Sequence, residues 1–281
     1  MPKVEVEKGI ELFYEDLGEG DKYILSLMMD FPPINTTREL AKHGYHVLLI
    51  TNRGIGKSTH VFENYGAEWF NIFADDVVRV ADKLGIDKFI YAGCSHGAGT
   101  GWHICLRHPE RLIAFIDMVG GPHNIDEGTW SFRSKESENG GVAPVRKPMD
   151  PPTFEDPAVA RRNAKNQPYR DKLRAEMTPE EKALDYKRPL IGLGTEAKVC
   201  EALRTIKTPT LMLGGIEDPI ARPDLMLRTA ECLPHGKLVL YSGFGHGGPF
   251  GQLIEECTEE ILNFLRNVEK TGRVYKEIIE P

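Results

Sequence analysis

The chain has 281 residues, 41% hydrophobic and 27% charged, with 35 Lys+Arg against 42 Asp+Glu and a net charge of −7. This is globular composition without the basic footprint of a nucleic-acid binder. Its longest apolar runs, such as Val47 to Ile50, fall far below the ~18 residues of a membrane span. The opening MPKVEVEKG carries no apolar signal segment. Cys94, Cys105, Cys200, Cys232 and Cys257 are odd in number, widely spaced and without a CxxC pair. That predicts neither a disulfide framework nor a structural zinc site, and hence a reducing, cytoplasmic setting. The expected partner is a small molecule, with no nucleic acid and no membrane; a homo-oligomer is left open.

In chain order, short apolar runs read as strands at Val4 to Glu7, Leu12 to Leu17, Tyr23 to Leu27, His46 to Thr51, Phe89 to Gly93 and Leu112 to Val119. Two more follow at Thr210 to Leu213 and Leu238 to Tyr241. Near-continuous apolar runs suit strands buried on both faces of a parallel sheet. Phe70, Phe73, Val77, Val80, Ala81 and Leu84 recur at helical spacing. His96 to His108, Pro223 to Cys232 and Gln252 to Asn267 also read as helices. The alternation predicts an α/β fold, a mostly parallel, doubly wound sheet of about eight strands.

The rhythm breaks between Gly120 and Thr208. Residues 133 to 156 are rich in Ser, Gly and Pro, and include KPMDPP. Helix starts follow at Asp156 before Pro157, an N-cap with proline at the first turn, and at TPEE from Thr178 to Glu181, a capping box. The segment therefore reads as a helical insertion, which divides the chain into a first core part (1–121), a cap or lid (122–205) and a second core part (206–281). Flexibility is expected between Arg133 and Pro152. From Arg133 to Arg174 there are ten Lys/Arg against six Asp/Glu. A lid attracting an anionic substrate and solvated helix faces, as at Arg161, Arg162 and Lys165, both account for that excess, and the second is the simpler reading.

Two motifs fail on their context. GIGKST at Gly54 to Thr59 resembles the end of a phosphate-binding loop, but the glycine required five positions before Gly56 is Thr51. GFGHGG at Gly243 to Gly248 matches GxGxxG, yet no parallel strand follows to complete a dinucleotide-binding unit. His103 and His108 lie five apart, on different sides of a helix, and read as packing or surface histidines. No metal or cofactor is expected.

KFIYAGCSHGAGT at Lys88 to Thr100 places G-x-S-x-G between a strand and a helix. The sharp turn strains Ser95, so its neighbours two away, Gly93 and Gly97, must lack side chains. Ser95 then projects as a nucleophile over a helix N-terminus, and the His96 N–H can point at a developing oxyanion. A serine needs a base, and the base an orienting acid. Asp218, in PTLMLGGIEDPIARP, and His246, in LVLYSGFGHGGPF, each follow a late strand, in the order Ser, acid, His. Cys94 is the rival nucleophile, one residue early, where a buried neutral thiol would be inert.

On these motifs the chain resembles the α/β-hydrolase fold superfamily over nearly its whole length, as a serine hydrolase with a helical cap. NRGIGKST (Asn52 to Thr59) resembles the family's D-x-R-G-x-G-x-S stretch, and HPERL (His108 to Leu112) its exit from the nucleophile helix. The resemblance implies a triad of Ser95 as nucleophile, Asp218 as acid and His246 as base, with a cap at the insertion. Similar proteins carry His-Gly after the third strand, before the second oxyanion donor. Here SLMMDFPPINTT puts Met29 and Asp30 there, which leaves the Phe31 N–H as the expected donor and the first helix clipped. A carboxylate at Asp30 aimed at an oxyanion would oppose catalysis. Met29, Asp30, Trp130 and Phe132 are the expected pocket residues.

The resulting expectation is hydrolysis of a small carboxylic ester or lactone through an acyl-enzyme. The same triad also suits C–C bond hydrolysis of a β-diketone-like compound or acyl transfer. Epoxide and haloalkane hydrolases on this fold resemble cases with an aspartate nucleophile, so Ser95 counts against them. A ligand-binding protein that kept the fold is the non-enzyme alternative, supported only by Met29 and Asp30.

Overall fold

The computed structural model describes residues 2–122 and 157–275. The apolar runs become eight strands: β1 (Lys3–Glu7), β2 (Ile10–Leu17), β3 (Lys22–Met28), β4 (Tyr45–Thr51), β5 (Phe89–Cys94), β6 (Leu112–Met118), β7 (Thr210–Gly215) and β8 (Gly236–Tyr241). They form one sheet in the order β1-β2-β4-β3-β5-β6-β7-β8. β1–β2 and β2–β4 pair antiparallel, and every pairing from β4–β3 to β7–β8 is parallel.

The helices are α1 (Thr36–Glu39), α2 (Trp69–Lys83), α3 (His96–Arg107), α4 (Pro157–Glu176), α5 (Pro179–Ala183), α6 (Glu196–Leu203), α7 (Pro223–Cys232) and α8 (Ile254–Thr271). One face of the sheet packs against Trp69, Phe70 and Phe73 of α2, Trp102 of α3, Val199 and Leu203 of α6, and Met226 of α7. The other packs against Leu40 and the Cys257, Ile261, Phe264 and Leu265 stripe of α8. Burial on both faces is why the parallel strands are apolar along their whole length rather than alternating. α1 is a single turn, as the short Phe31 to Leu40 segment predicts; Asn35 caps it by accepting from the Arg38 N–H.

The chain runs from β3 outward to β4 and then returns to place β5 on the other side of β3. The strand order therefore reverses between β3 and β5. In open α/β sheets the crevice beyond the carboxyl ends of such a pair is where ligands bind. Ser95 follows β5, and Met29 to Phe31 follow β3, so this reversal sets the place of the site.

β6 pairs directly with β7, and no described residue between them enters the sheet. Its described part contains α4, α5, a 3₁₀ turn at Ile191–Leu193 and α6, and no strand. The expected proline-rich stretch from Arg133 to Pro152, the cap at Asp156, and Trp130 and Phe132 lie outside the described residues. The capping box at Thr178 forms: Thr178 Oγ1 accepts from the Glu181 N–H, and Glu181 Oε2 accepts from the Thr178 N–H. α4 has no apolar stripe, and its one buried side chain is Asn166. Asn166 holds the helix by exchanging two hydrogen bonds with the Ile34 backbone, at 3.0 and 2.8 Å. Arg162 adds bonds to the Gln252 carbonyl and to Glu255, while Arg161 and Lys165 face solvent.

One cysteine expectation is corrected. Cys200 of α6 and Cys232 of α7 form a disulfide, so the chain is cross-linked where sequence spacing predicted no bridge. The two residues are 32 apart and come together only because α6 and α7 pack side by side. Cys94, Cys105 and Cys257 are buried free thiols. Among the described residues, no helix is long and apolar enough to cross a membrane.

Candidate active site

Ser95 occupies the turn between β5 and α3 with φ 50° and ψ −111°, a conformation that side chains rarely adopt. The turn closes because its neighbours are glycines. A Cβ on Gly93 would lie 2.4 Å from the Gly97 carbonyl oxygen, and one on Gly97 would lie 2.5 Å from that of Leu27. The Ser95 N–H donates to the Met118 carbonyl at 2.8 Å, tying the turn to β6. Cys94 points away into the core; burial, then the charges of Asp117, Asp30 and Asp218, push its thiol pKa well up.

Asp218 lies just beyond β7, in a tight turn. Its Oδ1 accepts from the N–H groups of Ile220 (2.7 Å) and Ala221 (3.0 Å), so that oxygen is fixed by backbone. Its Oδ2 lies 2.8 Å from His246 Nδ1. A carboxylate only accepts, so Nδ1 carries the proton and donates it, which leaves Nε2 as an acceptor. His246 Nε2 lies 2.8 Å from Ser95 Oγ and accepts from its hydroxyl. The loop carrying His246 approaches β7 closely: a Cβ on Gly215 would lie 2.1 Å from the Phe244 carbonyl oxygen. The His246 loop therefore presses against the end of β7, where Glu217 N–H donates to Phe244 O at 3.1 Å.

The His96 side chain packs among Phe70, Phe73 and Tyr186, with ring centroids 4.8 to 5.2 Å away. Phe31 is buried, and its carbonyl accepts from Arg38 at 3.2 Å. Arg38 and Asn35 also bond the Pro32 carbonyl, and Arg38 pairs with Glu15 through both terminal nitrogens. Asp30 is half-buried. Tyr169 of α4 stands beside it: burial first, then the Asp30 charge, raise the Tyr169 phenol pKa, with the Phe31 backbone opposing.

A cavity of about 100 Å³ opens onto Ser95, His96 and His246. Its other walls come from Phe70, Gly120 and Gly121, from Lys187, Arg188 and Pro189 of the strap after α5, and from Ile220, Arg222 and Leu225 around the start of α7. A second, larger cavity of about 910 Å³ lies under α4, lined by Met29, Phe31, Arg38, Lys57 and Tyr169 among others. Met29 and Phe31 thus face the second cavity, and Trp130 and Phe132 lie outside the described residues. The structure brings Ser95, Asp218 and His246 together in one hydrogen-bonded row. Sequence reading missed the strap and Arg222; the one signal for them was the basic Lys187-Arg188 pair before Pro189. Among the described residues, no group of three or more His, Cys, Asp or Glu side chains is placed to hold a metal ion.

A nucleophile elbow at a strand-order reversal, followed by an acid and a histidine at two later strand ends, defines the α/β-hydrolase class. The family profile described as alpha/beta hydrolase fold matches residues 29–252, and the chain belongs to that family. It is similar to a bifunctional esterase/perhydrolase of Acinetobacter calcoaceticus, with 23% identity over 95% of this chain and 100% of the relative. It is also similar to a 2-hydroxy-6-oxononadienedioate/2-hydroxy-6-oxononatrienedioate hydrolase of a Pseudomonas species, with 24% identity over 89% of this chain and 90% of the relative. Among solved structures, a thermophilic esterase from Thermogutta terrifontis, with malate bound, superposes with a TM-score of 0.64 at 24% identity, covering 92% of this chain and 94% of that one.

Proposed function

We propose that the protein is a serine hydrolase that cleaves a small carboxylic ester or lactone through an acyl-enzyme. The observation that carries this reading is the row Asp218 Oδ2, His246 Nδ1, His246 Nε2, Ser95 Oγ, with both gaps at 2.8 Å. In the first half-reaction Ser95 Oγ attacks the carbonyl carbon while His246 Nε2 takes its proton. The carbon–oxygen bond to the leaving group then breaks, and His246 returns the proton to the departing oxygen. In the second half a water gives a proton to His246, its oxygen bonds the acyl carbon, and Ser95 leaves and is reprotonated. Asp218 holds His246 in the tautomer that accepts from serine. The N–H groups of His96 and Phe31 are our candidates for the oxyanion donors. Residues 122–205 form the cap in this reading, with α6 as its return leg into the core.

The esterase among the relatives supports this choice. The dienedioate hydrolase favours a second reading, C–C bond hydrolysis with the same three residues. A fluorophosphonate probe should label the protein at Ser95 and leave folded Ser95→Ala unlabelled. Nitrophenyl esters, lactones and β-diketones then separate the two readings. Undiminished turnover in Ser95→Ala, or turnover lost with Cys94→Ala alone in a folded protein, would overturn the assignment of the nucleophile.

A further inference from the structure

The strap after α5 runs along the Ser95 cavity, and its far end is hydrogen-bonded to a buried histidine of the nucleophile helix. We propose that His103 is a positioning residue that sets the size of the substrate group accepted beside Ser95, by fixing residues 186–190 as one wall of that cavity; the proposal rests on the serine-hydrolase reading above.

The state of His103 is fixed from both sides. Asn71 Nδ2 donates to Glu68 at 2.8 Å, which turns Asn71 Oδ1 toward the histidine. An amide oxygen only accepts, so His103 Nδ1 carries the proton and donates it across 2.7 Å. Nε2 is then a lone pair, and it accepts from the Leu190 N–H at 2.9 Å. Both partners require the same neutral tautomer. Burial first, then the Arg107 charge, lower the His103 pKa to about 3, with Asp75 opposing, so the imidazole keeps that form at neutral pH. This is a role that neither a surface nor a merely packed histidine would have.

The strap holds a shape that needs such an anchor. Lys187 and Leu190 both have left-handed backbone, φ 57° and 58°, a cost that persists only where surrounding contacts fix the conformation. Tyr186, at one end, is buried against Trp69, Phe73 and His96. Leu190, at the other, is buried and bonded to His103. Between the two anchors Pro189 presses on Gly99, one turn into the nucleophile helix. A Cβ on Gly99 would lie 2.6 Å from Pro189 Cγ and 2.5 Å from Phe70 Cε1. Phe70 in turn stacks on His103, with ring centroids 5.5 Å apart. Phe70, Gly99 and Pro189 thus make one packed wall that faces Ser95, with His103 behind it. The cavity in front of this wall is about 100 Å³. Pockets for drug-sized ligands run to about 300–1,000 Å³, so this one admits a group of a few carbon atoms.

The test measures kcat and KM on nitrophenyl esters from acetate to octanoate and on acetates from methyl to octyl, so that either half of the ester can be the one beside the strap. In at least one series wild-type kcat/KM should fall by about 10-fold or more from the four- to the eight-carbon member. His103→Asn keeps a polar group near Nδ1 but does not reach Leu190. It should regain most of that loss through a lower KM for the long member, without a matching change in kcat for the short one. His103→Gln, whose amide oxygen reaches the place of Nε2, should restore the wild-type profile. Pro189→Gly, which loosens the wall without touching the buried histidine, should shift the profile as His103→Asn does. Trypsin should cut after Lys187 faster in His103→Asn than in wild type or His103→Gln. If fluorophosphonate labels Ser95 but the wild-type profile is flat, or the two loosened variants leave it unchanged or lose rate equally on every ester, the size proposal is wrong and the serine-hydrolase reading stands. If the probe does not label, the hydrolase reading falls, and binding decides the proposal without turnover. Saturation-transfer NMR on Ser95→Ala should then detect methyl butanoate but not methyl octanoate, and both once His103→Asn is added; the same pattern in both proteins would overturn it.

Discussion

Replacing Asp218 by asparagine isolates what that residue does, because the structure gives its two oxygens separate partners. Oδ1 accepts from Ile220 and Ala221 N–H, and Oδ2 accepts from His246. In Asp218→Asn the amide oxygen keeps the two backbone donors, and the NH₂ then faces His246 Nδ1. It donates where the carboxylate accepted, so the imidazole proton moves to Nε2 and confronts the Ser95 hydroxyl donor with a second donor. The base is lost without loss of packing. The expected fall in kcat is about 10⁴-fold, or about 5.4 kcal/mol of transition-state stabilisation. Asp218→Ala does the reverse. It frees His246 to take either tautomer, but leaves two inward-facing N–H groups without an acceptor, at about 1–3 kcal/mol each. The alanine variant should therefore be the more active and the less stable of the two. Burst titration with a nitrophenyl ester, normalised to intact sites, gives the rates, and urea denaturation gives the stabilities. An asparagine variant retaining more than about a tenth of wild-type kcat would refute the tautomer argument.

Gly97→Ala should destabilise the fold by about 1–3 kcal/mol or displace the elbow, because its Cβ would meet the Leu27 carbonyl oxygen and Met28 Cγ at 2.5 and 2.8 Å; chemical denaturation and Ser95 labelling would read the two effects. Asp117, on β6, is fully buried, and its pKa is pushed up to about 8 by burial, with Gly120 and Trp102 pulling only partway back. The folded state then keeps a proton that the unfolded chain has already released, so stability is present in full below pH ~4 and falls as pH rises toward 8. Asp117→Asn should remove this decline and be more stabilising at pH 8.5 than at pH 5; an equal effect at both, in urea titrations, would contradict it. Reducing the Cys200–Cys232 bridge should lower stability by about 3–4 kcal/mol for a closed loop of this length, and Cys200→Ser should make the protein indifferent to reductant.

The sheet was legible in the sequence because its central strands, β3 to β7, are largely buried on both faces and so announce themselves as apolar runs; all eight expected strands appear, with ends that coincide or shift by one or two residues. Ser95, Asp218 and His246 were legible for a different reason. Each sits beside a glycine or a proline that a tight turn or a close approach requires, and that requirement is local. What was not legible depends on packing. Cys200 and Cys232 pair only because two helices lie together, and nothing in their spacing says so. Lys187 and Arg188 lie beyond the basic excess counted from Arg133 to Arg174, and nothing in their spacing says that they line a cavity with Ser95. The GIGKST stretch shows why a motif needs its context: Gly56 N–H donates to Glu181 at 3.3 Å, and Lys57 lies 4.4 Å from the Phe13 ring centroid. An N–H and a lysine that a phosphate loop would spend on an anion are here spent on the protein itself.

The segment after β3 is tied down by several polar contacts. Phe31 and Pro32 carbonyls accept from Arg38, Arg38 is held by Glu15, and Thr36 Oγ1 donates to the Pro249 carbonyl at 2.7 Å. Ile34 is gripped from above by Asn166, the only buried side chain of α4. A longer first helix would fix this loop through its own backbone hydrogen bonds; the single turn of α1 cannot, so side chains from β2, α1 and α4 do it instead. The consequence is mechanical coupling. α4 has no apolar stripe to keep it in place, and of the bonds that dock it, those of Asn166 go to the loop carrying Phe31 and those of Arg162 to Gln252 and Glu255. Any movement of α4 away from the core must break the Asn166–Ile34 pair and release the backbone three residues after Phe31. The backbone that carries Phe31, our candidate for the second oxyanion donor, and the docking of α4 therefore share part of one polar network.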